Sequence, residues 1–199
     1  MAQVPNQQFE TPSALIALGA NLPTPEGSPP AETIKRAMAA LEDAFFAVER
    51  SKLYQTPCFP AGAGPDYVNA AMLLKSNANP AEILVKLHEL EAVFGRERQK
   101  RWGMRTLDLD LIAVGDKVLP DAATHNEWRN LSADLQVSAT PDRLILPHPR
   151  LQDRAFVLIP MADIAPDWVH PVLRLTIQQM CDALPADEIE AVLPLDRPS

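Results

Sequence analysis

The chain has little cysteine, no excess of positive charge and no long hydrophobic run, and each shortage removes a class of function. Its two cysteines, Cys58 and Cys181, stand alone and form no metal-ligand spacing, so a disulfide scaffold and a zinc module are excluded and a reduced, cytoplasmic setting is expected. No apolar run approaches the ~20 residues that cross a bilayer. The opening MAQVPNQQFETPS has neither basic residues nor an apolar centre, which is not the pattern of a signal peptide. Acidic residues outnumber basic ones, 26 to 18, for a formal net charge of −8. That balance disfavours nucleic acid or an anionic membrane as the main partner. No internal repeat is visible. The phosphate-cradling G-x-x-x-x-G-K-[ST], the dinucleotide G-x-G-x-x-G, the G-x-S-x-G elbow and H-E-x-x-H are all missing. Any bound triphosphate must therefore be held by side chains and metal.

What is present is concentrated in one stretch. Between Arg96 and Arg105, four arginines and Lys100 face a single acid, Glu97. This reversal of sign inside an acidic protein marks an anion site; a solvated loop is the plainer alternative. Directly after it comes Leu107-Asp108-Leu109-Asp110-Leu111-Ile112-Ala113-Val114, whose alternation predicts a strand. Residues i and i+2 of a strand share a face, so Asp108 and Asp110 project side by side. Paired carboxylates repel unless a cation lies between them. Mg²⁺ suits them, because it is held by one or two carboxylates together with substrate phosphates. The stretch describes a site for a metal-bound nucleoside triphosphate.

At 199 residues the chain suits one domain, with a flexible start over 1–12. Twenty prolines, about twice ordinary usage, fall mostly at element boundaries. Ser13–Ala20 is an apolar run, expected as a buried strand. Ala31–Val48 carries Ile34, Met38, Leu41, Phe45 and Val48 at helical spacing. Glu49–Gln55 is expected as a short strand stopped by Thr56-Pro57, and Asp66–Lys75 as another strand. Asn79-Pro80-Ala81-Glu82 is a helix start, with an Asn cap, Pro in the first turn and an acid behind it. That helix shows Ile83, Leu84, Leu87, Leu90 and Phe94 on its stripe and ends at Gly95. Pro120–Pro141 is polar and weakly patterned, expected as an inserted surface loop. Helices are expected over Arg150–Ala162 and Leu173–Leu184. The core order is β-α-β-β-α-β, the split arrangement of a ferredoxin-like α+β fold with an antiparallel sheet and further C-terminal helices.

Eight segments, in order, carry a resemblance: LGAN (Leu18–Asn21), YQTP (Tyr54–Pro57), PDYVNAAM (Pro65–Met72), LHELE (Leu87–Glu91), GRER (Gly95–Arg98), RWGMRTLDLDLI (Arg101–Ile112), LPHPRLQDRAFVLIPM (Leu146–Met161) and IAPDWVHP (Ile164–Pro171). Together they resemble the 6-hydroxymethyl-7,8-dihydropterin pyrophosphokinase family of the folate pathway, over about residues 13–171. The resemblance implies a Mg-dependent transfer of pyrophosphate from ATP to the pterin hydroxymethyl group, with release of AMP. It implies that Asp108 and Asp110 bind two Mg²⁺ ions, and that Arg96 and Arg105 act with them as catalytic groups. It places Thr56, Pro57, Phe59, Tyr67, Asn69 and Phe156 around the pterin. Tyr67 and Phe156 would offer stacking faces, and the Asn69 amide can both donate to and accept from the pyrimidine edge. It places His88, Glu91, Arg98, Trp102, Leu111, Arg143, His148 and Arg154 on the ATP side, Trp102 in a loop that closes over the site. His88 and Glu91 lie at i, i+3 and share a helix face; a surface ion pair or cap is the alternative for them. The expected partners are ATP and 6-hydroxymethyl-7,8-dihydropterin, bound by a monomer. Two other classes stay open on the residues alone: a palm-type nucleotidyltransferase, which also pairs strand carboxylates with two metals, and a non-catalytic pterin or nucleotide binder. The acidic net charge and the Tyr67/Asn69 pocket disfavour the first, and the intact aspartate pair disfavours the second.

Overall fold

Ser13–Ala20 forms the strand β1, and nearly all of it is buried. It runs through the middle of the sheet with strands on both sides and helices on both faces, which is why its sequence is continuously apolar rather than alternating. The computed structural model describes residues 13–58, 62, 64–95, 105–132, 135 and 139–195. After β1 come α1 (Pro30–Ala44), β2 (Phe46–Arg50), β3 (Tyr54–Thr56), β4 (Tyr67–Lys75), α2 (Pro80–Val93) and β5 (Asp108–Val114). Then follow α3 (Ala122–Arg129), a 3₁₀ turn at Leu151–Asp153, α4 (Ala155–Ala162), α5 (Ile177–Asp182), α6 (Ala186–Glu190) and β6 (Leu193–Pro194).

The sheet order is β5-β1-β4-β3-β6, with β2 also on β4, and every strand pair is antiparallel. β2 and β3 share one edge of β4: β2 pairs with Met72–Lys75 and β3 with Tyr67–Asn69. Ser51 bridges the gap between them. Its N–H donates to Ala71 O at 2.9 Å, and its Oγ accepts from Ala71 N–H at 2.8 Å. Counting β2 and β3 as one interrupted strand gives the expected ferredoxin-like βαββαβ core.

The two faces have separate cores. On one, α1 and α2 cover Ile16, Leu18, Val68, Ala70, Met72, Leu109 and Leu111 with Ile34, Met38, Leu41, Ile83 and Leu87. On the other, α4 and α5 cover Leu15, Ala17, Ala71 and Ile112 with Val157, Leu158, Met161, Ile177 and Met180. The cap expected at Asn79 is present in full: Asn79 Oδ1 accepts from Glu82 N–H at 3.0 Å, and Glu82 Oε2 accepts from Asn79 N–H at 2.8 Å.

Several expectations need correction. The first helix ends at Ala44, not Val48, because Phe45 is already extended at φ −137°. Phe45 and Val48 fit a helical period by coincidence, and the run from Phe46 onward enters β2, where aromatic and β-branched residues fit best. Pro120–Pro141 is not all loop: α3 lies inside it, capped by Asp121 Oδ1, which accepts from Thr124 N–H at 2.9 Å. Its one fully buried side chain is polar, His125, so apolar periodicity could not reveal it. The C-terminal helices are shorter than expected, since Arg154 is extended between the 3₁₀ turn and α4, and α5 begins only after its Thr176 cap. Among the described residues no helix is long and apolar enough to cross a membrane.

Candidate active site

Gly19, near the end of β1, faces Asn69 of β4 on one side and Asp108 of β5 on the other. Two residues earlier, Ala17 faces Ala71 and Asp110 in the same way. Paired residues of a sheet point to the same face, here the face of α4 and α5. Asn69 and Asp108 thus stand two strand spacings apart, about 10 Å, across a floor that carries no side chain. A Cβ on Gly19 would come within 3.2 Å of Asn69 Oδ1. Absence of that atom is what keeps the floor open.

β5 behaves as its alternation predicts. Leu109 and Leu111 are buried against α1 and α2, while Asp108 and Asp110 are half-buried on the opposite face. Arg105, just ahead of the strand, forms an ion pair with Asp108 Oδ1. Burial works against its charge, but Asp108 and then Asp110 outweigh it and hold the guanidinium above its ordinary pKa. The main chain at Arg105 is fixed by Asn21. Asn21 Oδ1 accepts from Arg105 N–H at 2.7 Å, and Asn21 N–H donates to Arg105 O at 2.9 Å. Its Nδ2 donates to Pro65 O at 3.2 Å, so one buried amide ties the approach to β4 to the approach to β5. No role for Asn21 was foreseen. Its cue was a lone Asn directly after an apolar strand, a place where only a bonded amide tolerates burial.

The expected pterin residues gather on the same face. Asn69 Nδ2 donates to Thr56 Oγ1 at 2.7 Å, with both side chains buried. That bond leaves Oδ1 on the Gly19 side. Tyr67 is half-buried two residues away, its phenol pKa raised by burial and by the charges of Cys58 and Asp108, against Arg105. Phe156, in the first turn of α4, is 40% exposed, an unusual state for a phenylalanine, and Arg154 Cζ sits 5.7 Å from its ring centroid. Pro57 is exposed at the end of β3.

His148 and Arg154 also act on the carboxylates. His148 N–H donates to Ile112 O at 2.7 Å, the residue that the β1–β5 register skips. Its Nδ1 accepts from Arg150 N–H at 3.1 Å, which leaves the ring proton on Nε2. Burial, then Arg154 and Arg150, push its pKa down to about 3. Burial also lowers the pKa of Arg154, against the pull of Asp110 and Asp108. Tyr67, Arg105, Asp108, Asp110, His148 and Arg154 therefore act on one another electrostatically as one cluster.

Other expected residues lie apart from it. Glu91 is buried at 1% exposure, and its Oε1 accepts from Leu109 N–H at 2.8 Å, so this carboxylate seals the outer edge of β5. Leu111, like Leu109, points into the α1/α2 core. His88 is half-buried on α2. Arg143 is exposed and pairs bidentately with Asp142, at 2.9 and 3.0 Å. Phe59, Arg96, Arg98 and Trp102 lie outside the described residues.

Mg²⁺ was expected at the aspartates, and the donor set fits it. Two adjacent half-exposed carboxylates supply hard oxygens, and a substrate's phosphates would complete the shell. Among the described residues no group of three or more His, Cys, Asp or Glu forms a ready-made cage.

Comparison with known proteins identifies the family. Residues 15–166 match the family described as 7,8-dihydro-6-hydroxymethylpterin-pyrophosphokinase (HPPK). A 2-amino-4-hydroxy-6-hydroxymethyldihydropteridine pyrophosphokinase of Synechocystis is 37% identical over 183 residues, which cover 91% of this chain and 80% of that one. The enzyme of the same name from Pseudomonas aeruginosa is 36% identical over 178 residues, covering 88% and 93%. Among solved structures, the wild-type HPPK-DHPS of Plasmodium falciparum superposes with a TM-score of 0.59 at 16% identity, over 88% of this chain. The chain spans 45% of that longer protein, and the likeness there is one of fold. The chain belongs to the 7,8-dihydro-6-hydroxymethylpterin-pyrophosphokinase family.

Proposed function

We propose that this member of the family transfers pyrophosphate from ATP to the hydroxymethyl group of 6-hydroxymethyl-7,8-dihydropterin, in folate biosynthesis, and that it does so with Mg²⁺. The observation that carries the reading is the row Asn69–Gly19–Asp108. It sets a buried, oriented amide and a carboxylate pair on one open stretch of sheet, one for the pterin and one for the phosphates.

The chain's own groups divide the work. Asn69, fixed by Thr56, presents Oδ1 to an N–H of the pyrimidine edge, while Tyr67 and the exposed Phe156 ring flank the flat pterin. Asp108 and Asp110 would hold Mg²⁺, which would supply charge neutralisation at the phosphates and lower the pKa of the pterin hydroxyl. Arg105 and Arg154 donate to phosphate oxygens, Arg105 exchanging its bond to Asp108 for one to the nucleotide. His148 offers its Nε2–H to the nucleotide side. The pterin hydroxyl oxygen bonds to the β-phosphorus, the bond from that phosphorus to the oxygen it shares with the α-phosphate breaks, and AMP leaves with that oxygen. The hydroxyl proton passes to solvent without a side-chain base, and alignment and charge carry the rate. The net charge of −8 favours small-molecule partners without nucleic acid. The free thiols Cys58 and Cys181 suit a cytoplasmic enzyme, working as a monomer. Incubation with ATP, Mg²⁺ and the reduced pterin, followed by mass analysis, tests this. AMP and pterin diphosphate in equal amounts support it; inorganic pyrophosphate, or no turnover, sinks it.

A further inference from the structure

Away from the carboxylate cluster two more histidines are wholly buried: His125 on α3 and His170 in the loop before α5. Their ring centroids are 5.6 Å apart with the planes at 62°. A buried imidazole needs partners for both nitrogens, and among the described residues each ring has them for only one. His170 Nδ1 accepts from Val172 N–H and Leu173 N–H, each at 3.1 Å. A nitrogen that accepts carries no proton, so the neutral ring is protonated at Nε2. His125 Nε2 lies 3.0 Å from Pro147 O. A carbonyl oxygen can only accept, so this nitrogen holds the proton and His125 Nδ1 is bare. The two remaining atoms are thus a donor, His170 Nε2–H, and an acceptor, His125 Nδ1. Among the described residues neither has a hydrogen-bond partner, nor does the buried Nε–H of Arg129, which lies one turn along α3 from His125.

We propose that these three atoms form a site for one buried water molecule, which accepts from His170 Nε2 and Arg129 Nε and donates to His125 Nδ1. Three bonds is the usual number for a buried water. The tautomers exclude other small occupants. A transition metal needs bare nitrogens, and His170 Nε2 is protonated. An anion needs donors all round, and the His125 Nδ1 lone pair faces it. Burial, followed by the His125 and Arg129 charges, pushes the His170 pKa down to about 4, and burial lowers that of His125 as well. Both rings are neutral at working pH, as the hydrogen-bond pattern requires. The site joins three parts of the chain: α3, the loop anchored by Trp168 Nε1–H on Gly115 O at 3.0 Å, and the turn at Pro147 that carries His148. It gives α3 the task of buttressing that turn from behind.

Long-range ¹H–¹⁵N correlation of the histidine rings near pH 7 tests the proposal, with water–ring cross-relaxation recorded alongside. Both rings should show the Nε2–H tautomer and a cross-peak to one long-lived water. A proton on Nδ1 of either ring, or two rings with no water cross-peak, overturns it. His125→Phe removes the acceptor. The water cross-peak at His170 should vanish, and amide exchange across 122–129 should quicken by roughly tenfold or more, with β1 and β4 unchanged. A persisting cross-peak in that variant also overturns the proposal. If the variant does not fold, the wild-type spectrum still decides.

Discussion

Arg105 and Asp108 meet as an ion pair in which the side chains are 21% and 23% exposed. A cation of the chain thus already occupies the carboxylate proposed to hold the metal. Asp108→Asn removes charge at that point and the ion pair with Arg105; Asp110→Asn removes charge alone. In either variant turnover should fall by about a hundredfold or more, because a bound metal supplies several kcal/mol of charge stabilisation in the transition state. Pterin affinity, measured with a nonhydrolysable ATP analogue, should move little in Asp110→Asn. Wild-type turnover in either variant would remove the metal site from these residues.

Asn69 and Thr56 form a buried, hydrogen-bonded pair. Asn69→Ala should weaken pterin binding by about 1–3 kcal/mol, the cost of leaving buried polar edges unmatched. Phe156→Ala should lose a stacking face and weaken the pterin too, while ATP binding alone stays near wild type. Titration calorimetry separates the two ligands; pterin affinity unchanged in both variants would put the pterin elsewhere.

Gly19→Ala is a sharper probe of the row. Its new methyl would lie 3.2 Å from Asn69 Oδ1 and must push the amide aside. Pterin affinity should drop several-fold, on the order of 1 kcal/mol. If Gly19→Ala binds pterin as the wild type does, the open floor between Asn69 and Asp108 plays no part.

Acid should destabilise the fold earlier than its carboxylates alone would. His148 and His170 are held down to about 3 and about 4, against an unfolded value of about 6.5. Between those limits the unfolded chain binds protons that the folded chain refuses, so stability rises with pH across that window and is lost as pH falls below about 6.5. The melting temperature should decline steadily from pH 7 to pH 4.5. A flat profile there would mean that these rings are solvated.

Much of this was legible because it depends on short-range period. Asp108 and Asp110 share a face for the same reason that Leu109 and Leu111 share the other, and a two-residue alternation shows it. The Asn79–Glu82 cap is likewise a local pattern with local bonds. What escaped depends on contacts between distant segments. Glu91 belongs to the edge of β5, and nothing in its own helix says so. Asn21 joins Pro65 to Arg105, an arrangement visible only once three segments are together. α3 hid because its buried residue is a histidine whose partners lie at Pro147 and beside His170. The end of α1 was misplaced because Phe45 satisfies a helical period as well as the entry to a strand.

The central claim is that the β- and γ-phosphates leave together and AMP remains. Following ATP labelled in turn at the α and β phosphates tests it most directly, in a single turnover with Mg²⁺ and 6-hydroxymethyl-7,8-dihydropterin. The account predicts the β label entirely in the pterin diphosphate and the α label entirely in AMP. An α label in the pterin product, or a β label released as inorganic pyrophosphate, would contradict it.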